Sequence, residues 1–273
     1  GKSNDYTGSL SSDVLGDTSL TITGGTYEAA VLGGGSAKAG QGDANNKRVV
    51  SANVKGTAHV NVTGGTLKGV VGGGLSYLYT SAALTDAVVT THVENVAANI
   101  TGGTINTMDH NSGLDDFEIL ATVVGGGVAY SKSTVTTNKV EATVGNVDMT
   151  IAGKGVKLSG DIYAGGFAHG AKTAASVNST RLTIADATLG AAATESTAAS
   201  TVNVFAGGYA ANGATSTVKT SEVTIVNSKI FGNVYGGGNK ADAQGNVTVE
   251  SSVITLDGAE VTGTVTTDSR ESV

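Results

Sequence analysis

Apolar and polar residues alternate one for one through most of this chain, in short runs that close on glycine. Residues 59–63 (HVNVT) show the period of two cleanly, the mark of a strand with one buried face. A Gly-Gly-Thr corner follows, then a second apolar run, LKGVV at 67–71, and then three glycines. Three glycines inside a strand would cost roughly 0.5–1 kcal/mol each relative to alanine, so they belong at corners or at close approaches of backbone. Polar, threonine-rich runs such as STVTTNKVEATV at 133–144 and TSTVKTSEVTI at 215–225 alternate as well and predict further strands.

The same phrase returns along the chain. It reads LTITGGTYEAAVLGGG at 20–35, VNVTGGTLKGVVGGG at 60–74, and ANITGGTI at 98–105, completed by ATVVGGG at 121–127. Weaker copies are MTIAGKGVKLSGDIYAGG at 149–166, LTIADATLG at 182–190 with VNVFAGG at 202–208, EVTIVNSKIFGNVYGGG at 222–238, and ITLDGAEVTGTV at 254–265. With Ile22, Val62, Ile100, Ile151, Ile184, Ile225 and Leu256 as anchors, an apolar or aromatic residue stands five positions on in every copy: Tyr27, Leu67, Ile105, Val156, Leu189, Ile230 and Val261. A small residue follows at plus seven in the regular copies (Ala29, Gly69, Gly232, Gly263) and an apolar one at plus nine (Val31, Val71, Val234, Val265). The first corner is carried by Gly24, Gly25, Gly64 and Gly65. The second is carried by Gly33, Gly34, Gly35, Gly72, Gly73, Gly74, Gly125, Gly126, Gly127, Gly236, Gly237 and Gly238.

Anchor spacings are 40, 38, 51, 33, 41 and 31 residues, so the phrase holds while the connections vary. A β-solenoid turn takes about 20–30 residues, which makes each unit one generous coil or two short ones. Propeller blades run to about 40–45 residues but normally carry aromatic anchors and tight hairpins. With no Trp and four Phe, the pattern favours the solenoid. The expectation is therefore all-β: a parallel β-helix-like solenoid of about six to seven irregular repeats over 16–265, with an N-terminal segment at 1–15 and a tail at 266–273.

Composition sharpens this. The 273 residues include 41 Gly and no Pro, Cys or Trp, so turns rest on residues that accept positive φ. The apolar fraction is mostly small and β-branched, which suits a thin core of many similar layers. Regular alternation without a Gly-X-Y period opposes disorder. A net charge of −7, with no basic run longer than Lys47-Arg48, gives no support for nucleic-acid binding. Apolar stretches of a few residues fall far short of the ~20 that cross a bilayer as a helix, so no membrane insertion of this segment is expected. The lack of cysteine leans towards an exported protein, and the start at Gly1 fits a mature or excised segment.

The phrase V-x-V-T-G-G-T-(I/L)-x-G-x-V-(Y/V)-G-G-G, carried by residues 20–35, 60–74, 98–127 and 222–238, resembles repeats of large bacterial β-solenoid surface proteins. These include autotransporter-passenger-like adhesins and extracellular glycine-rich fibre proteins. The resemblance implies a secreted, elongated, cysteine-poor stalk or adhesive rod at the bacterial surface, with host-surface or glycan contacts as its partners. The translocator barrel of an autotransporter is not part of this sequence.

Catalysis on a β-helix needs carboxylates, or carboxylates with Arg or Lys, gathered on adjacent coils. The acids here look dispersed along the chain, so no enzyme is expected and no catalytic residue is assigned. The strongest cluster is an insert at 106–120 (NTMDHNSGLDDFEIL), which carries Asp109, His110, Asp115, Asp116 and Glu118. Hard oxygen ligands would suit calcium there, and the acids would equally serve a β-helix protein that binds or degrades a polysaccharide; the plainer alternative is a solvated loop at a tolerant corner. No other cofactor is expected. His59, His92, His110 and His169 lack metal-ligand spacing, and Asn61 and Asn99 are sequons that belong to the repeat strand. Ice binding would need threonines in strict register, and their spacing in sequence is uneven.

Stacked coils leave unpaired strands at their edges. The seventh copy departs from the phrase after Val265, giving TTDSRESV where three glycines would follow. The expectation is either a slice of a longer rod or head-to-tail self-association, with residues 1–15 of one subunit completing the last copy of the next.

Overall fold

A computed structural model describes residues 9–40, 48–79, 84–108, 121–196 and 198–271. All the regular structure in these residues is β, and every strand pairing between coils is parallel. The chain is a parallel β-solenoid, and the repeat resolves to one coil per copy. Each coil contributes one long strand, such as Val49–Leu67, Val88–Ile105 or Lys139–Ala152, and then two short strands on either side of the glycine corner, such as Val70–Val71 and Leu75–Leu78. Six long strands, with Ser9–Val14 and Thr18–Ile22 in the first coil, build the long sheet, and two further sheets of seven short strands close the coil. A three-stranded sheet of Thr188–Leu189, Lys229–Ile230 and Glu260–Val261 covers the first corner of the last three coils.

Register explains the sequence columns. Val14, Val54, Val93, Val144, Val177, Val218 and Val249 stand one above another in the long sheet. The seven anchors, from Ile22 through Val62 and Ile100 to Leu256, form a second inward column. Val31, Val70, Val123, Ile162, Val204, Val234 and Val265 form a third on the facing sheet. Each fully buried side chain of this kind contributes about 1.5–3 kcal/mol, so repetition along a column substitutes for a thick core.

Two positional expectations need correction. The residue paired with Ile105 in the fourth coil is Leu158, because the AGKG corner lengthens the turn; Val156 pairs with Gly103. In the second coil Val70 rather than Val71 pairs with Val31, because that corner is one residue shorter. The boundaries move as well. Ser9–Val14 pairs with Val49–Val54 of its own chain, so the stack begins within the expected N-terminal segment; residues 1–8 lie outside the described residues. At the other end, Arg270–Glu271 pairs with Asn239–Lys240, so the seventh coil closes within the expected tail.

The two corners work differently. At the first, one residue turns through the left-handed region: Gly25 (φ 92°), Gly65 (94°) and Gly103 (102°), then Gly153, Asp186, Asn227 and Gly258 in later coils. Asp and Asn tolerate that conformation better than other side chains, which is why AD and VN replace GG without changing the fold. The second corner is a matter of space. A Cβ on Gly34 would lie 2.5 Å from a Val93 methyl carbon and 2.9 Å from the Gly73 carbonyl carbon. On Gly126 it would lie 2.8 Å from Val177 and 2.9 Å from Gly165. The corner backbone is thus pressed inward onto the valine column, and glycine is there because nothing larger fits.

This re-entrant corner divides the cross-section. On one side lies the main aliphatic core, on the other a small lobe rich in alanine (Ala37, Ala52, Ala129, Ala142). Outside the corner, the two short sheets turn their outer sides towards each other and bury a third cluster. Tyr163, Phe205 and Tyr235 stack there on consecutive coils at 4.8 Å, and Phe167 lies 4.1 Å from Tyr209. Seven of the chain's 12 Tyr and Phe residues lie in or against this cluster.

Candidate functional site

Among the described residues, the outer face of the long sheet and the facing of the two short sheets bring chemically capable side chains together. On the long sheet, alternation sends every second residue outward, and register lines these residues up. Just past the valine column the pairing is interrupted: Lys55 and Gly56 stand opposite the single residue Glu94, and later coils skip Gly145, Asn178, Lys219 and Glu250. Beside this interruption an open groove of about 600 Å³ crosses six coils, from Thr57 to Ser251. Its floor is a polar ladder in which the Asn146 amide donates to Asn95 Oδ1 at 2.9 Å and the Ser179 hydroxyl donates to Asn146 Oδ1 at 2.7 Å.

The adjacent outward row carries Asp148, Arg181 and Glu222 on three consecutive coils, with Arg181 Nε donating to Glu222 Oε2 at 3.3 Å. Sequence spacing hid this row, because 33 and 41 residues separate its members. Both partners of the Arg181–Glu222 pair are about half exposed, so the pair contributes little to stability. Chemically the groove offers amides, hydroxyls and one charged row to an extended polar chain lying along the stack.

Threonines that look unevenly spaced in sequence also fall into register. Thr21, Asn61, Asn99, Thr150, Thr183, Thr224 and Thr255 form one outward column. Their outward neighbours two residues back along the strand include Asp148, Arg181 and Glu222, so the row stands alone rather than as a flat threonine face.

Between the short sheets, the groups are buried and mostly paired. The Asp161 Oδ1 accepts from both the backbone N–H and the side-chain amide of Asn203, each at 2.9 Å. Asn203 Oδ1 in turn accepts from the backbone and side-chain N–H groups of Asn233, whose Oδ1 accepts from the Thr264 N–H. Each side chain thus replaces a backbone partner on the next coil. Burial raises the Asp161 pKa above its ordinary value, against the lowering effect of the Asn203 bonds. Tyr163 OH accepts from the Asn239 amide at 2.9 Å, and burial pushes its phenol far up. His169 stacks on Tyr130 at 4.6 Å, accepts from the Asn212 amide at Nε2, and is held below the usual imidazole range by burial.

Of the residues singled out in the sequence, the repeat glycines and the anchors are placed at the corners and in the core as described. Asp109, His110, Asp115, Asp116 and Glu118 lie outside the described residues, which end at the buried Met108 and resume at Ala121. Among the described residues, no three or more His, Asp or Glu side chains group as a metal site would require. No helix of the described residues is long and apolar enough to cross a membrane. No protein-family model, curated protein or solved structure matches the chain.

Proposed function

We propose that this chain is a structural segment of an extracellular or cell-surface fibre of bacterial type, working through a stiff stacked scaffold rather than through catalysis. One observation carries the reading: inward columns repeat by residue type on all seven coils, from the valine column to the anchor column. Such a sequence invests its regularity in the stack. The conserved phrase lies in the interior and the corners, and variation is confined to the outward rows and the connections. That is the division expected of a scaffold whose outer surface adapts while its core propagates.

A second reading has its own support in the groove. Its ladder of amides and hydroxyls suits contact with a neutral linear glycan lying along the stack, which would make the segment adhesive. Glycans are held mainly by such planar polar groups, and the groove is open along its length.

Antibody raised against the purified chain should label intact cells that produce it and follow surface fibres in electron micrographs. Labelling only after the cells are permeabilised would overturn the structural reading. Retention of the chain on a neutral polysaccharide column, lost in Asn95→Ala/Asn146→Ala, would support the adhesive reading; equal passage of both proteins would remove it.

A further inference from the structure

In six coils the middle residue of the second corner is glycine: Gly34, Gly73, Gly126, Gly165, Gly207 and Gly237. The register is continuous, since each of these N–H groups donates to the corner of the next coil, Gly34 to Gly73 and so on to Gly237 and Asp268. The seventh coil therefore carries Asp268 in the glycine position, followed by Ser269. A Cβ at the middle position points along the stack. In the first five coils it would meet the next corner's backbone at 2.8–2.9 Å, and a valine methyl two coils on at 2.5–2.8 Å. Side chains rotate out of such contacts, but a corner held by two neighbouring coils does not.

We propose that the seventh coil is closed to a second copy of this chain: Asp268 excludes head-to-tail stacking in coil register. The aliphatic columns of the main core would continue across such a joint, while Glu271, which ends the column Ala37–Ser76–Ala129–Ala168–Ala210–Lys240, would face Ala37. Val249 would meet Val14, Ile254 would meet Leu20, Leu256 would meet Ile22, and Val265 would meet Val31, all pairings of the kind found between coils inside the chain. Leu256 and Val265 remain 43% and 41% exposed, and Leu10 and Val14 at the first coil 51% and 42%, so both edges offer apolar surface. The corner is where the two backbones would collide. Asp268 would place its Cβ against the backbone around Gly34 of the second copy. It would also bury a carboxylate that now faces solvent and accepts from the Thr266 hydroxyl at 3.3 Å. An edge with matching aliphatic columns and charged obstructions is an arrangement by which β-proteins avoid edge-to-edge association. Head-to-tail stacking between copies, one of the two expectations from the sequence, is in this account held off by the corner of the seventh coil.

The test uses disulfide trapping, which is clean in a chain without cysteine. Position 248 of one copy and position 13 of the next would be column neighbours across the joint, so Asp13→Cys/Thr248→Cys is introduced in two backgrounds. With Asp268 and Ser269 present, mild oxidation should leave monomers. With Asp268→Gly/Ser269→Gly added, it should give a ladder of covalent multimers, with at least a tenfold gain in the multimer fraction. A ladder in both backgrounds, or in neither, overturns the proposal. Asp268→Gly alone repeats the test should the double variant fail to fold, with β-sheet circular dichroism as the criterion. The outcome does not depend on where the chain resides in the cell, so it stands or falls separately from the fibre reading.

Discussion

At the scale of single residues, the second corner makes the sharpest demand. Gly126→Ala would drive a methyl group into Val177 and the Gly165 backbone, and overpacking of this kind costs about 1–3 kcal/mol. Gly24→Ala at the first corner, where a Cβ would meet nothing within 4 Å, should cost distinctly less. Urea unfolding of the two variants measures the difference. Asp161 supplies a second residue-level prediction. Its folded pKa is raised above the ordinary 3.8, so the folded state binds the proton more tightly than the unfolded one. Its contribution is fully present below pH 3.8 and is lost as pH rises through the raised value. Asp161→Asn, which would extend the asparagine ladder of Asn203 and Asn233, should therefore gain stability relative to wild type on going from pH 3.5 to about 7. Equal stability differences at both pH values would contradict this. The glycines were legible in the sequence as corners, but not the reason for them. Contact between Gly34 and Val93 joins residues 59 apart on different coils, and spacing along one chain does not reveal it.

At the scale of strands, the period of two predicted the strands and the shared anchor gave one inward column complete, but the valine column from Val14 to Val249 was not singled out. A buried column position in the middle of the stack has neighbours above and below, whereas an edge position lacks one. Ile151→Ala should accordingly cost about 2–5 kcal/mol, and Leu256→Ala, 43% exposed on the last coil, well under half of that. Comparable losses in chemical denaturation would mean that the columns do not carry the fold. The outward rows were harder to read. Asp148, Arg181 and Glu222 share a row only after connections of different length are removed, and a search for acids at regular spacing passes over them. The aromatic cleft was missed for a related reason: Tyr163 and Phe205 alternate with core residues in strands of two or three residues, too short for a period to show. Their low number suggested a core without aromatic packing, when in fact they are gathered outside the corner.

At the scale of the whole molecule, proportions matter more than any single contact. Seven coils at about 4.8 Å each stack to about 34 Å, while a 12-residue strand such as Asn246–Asp257 extends about 40 Å. This segment is as broad as it is long, and it becomes rod-like only as part of a longer stack or fibre. The number of coils per repeat was open in the sequence, because a unit of about 40 residues fits one long circuit or two short ones. Pairing of Thr183 with Thr224, 41 residues apart, makes it one. The most direct test of that claim is a distance between spin labels at positions 21 and 224, outward on one column and five coils apart. Pulsed electron paramagnetic resonance should give a distribution centred near 24 Å, five steps of about 4.8 Å. A centre near 48 Å, the value for two short coils per repeat, would contradict the account.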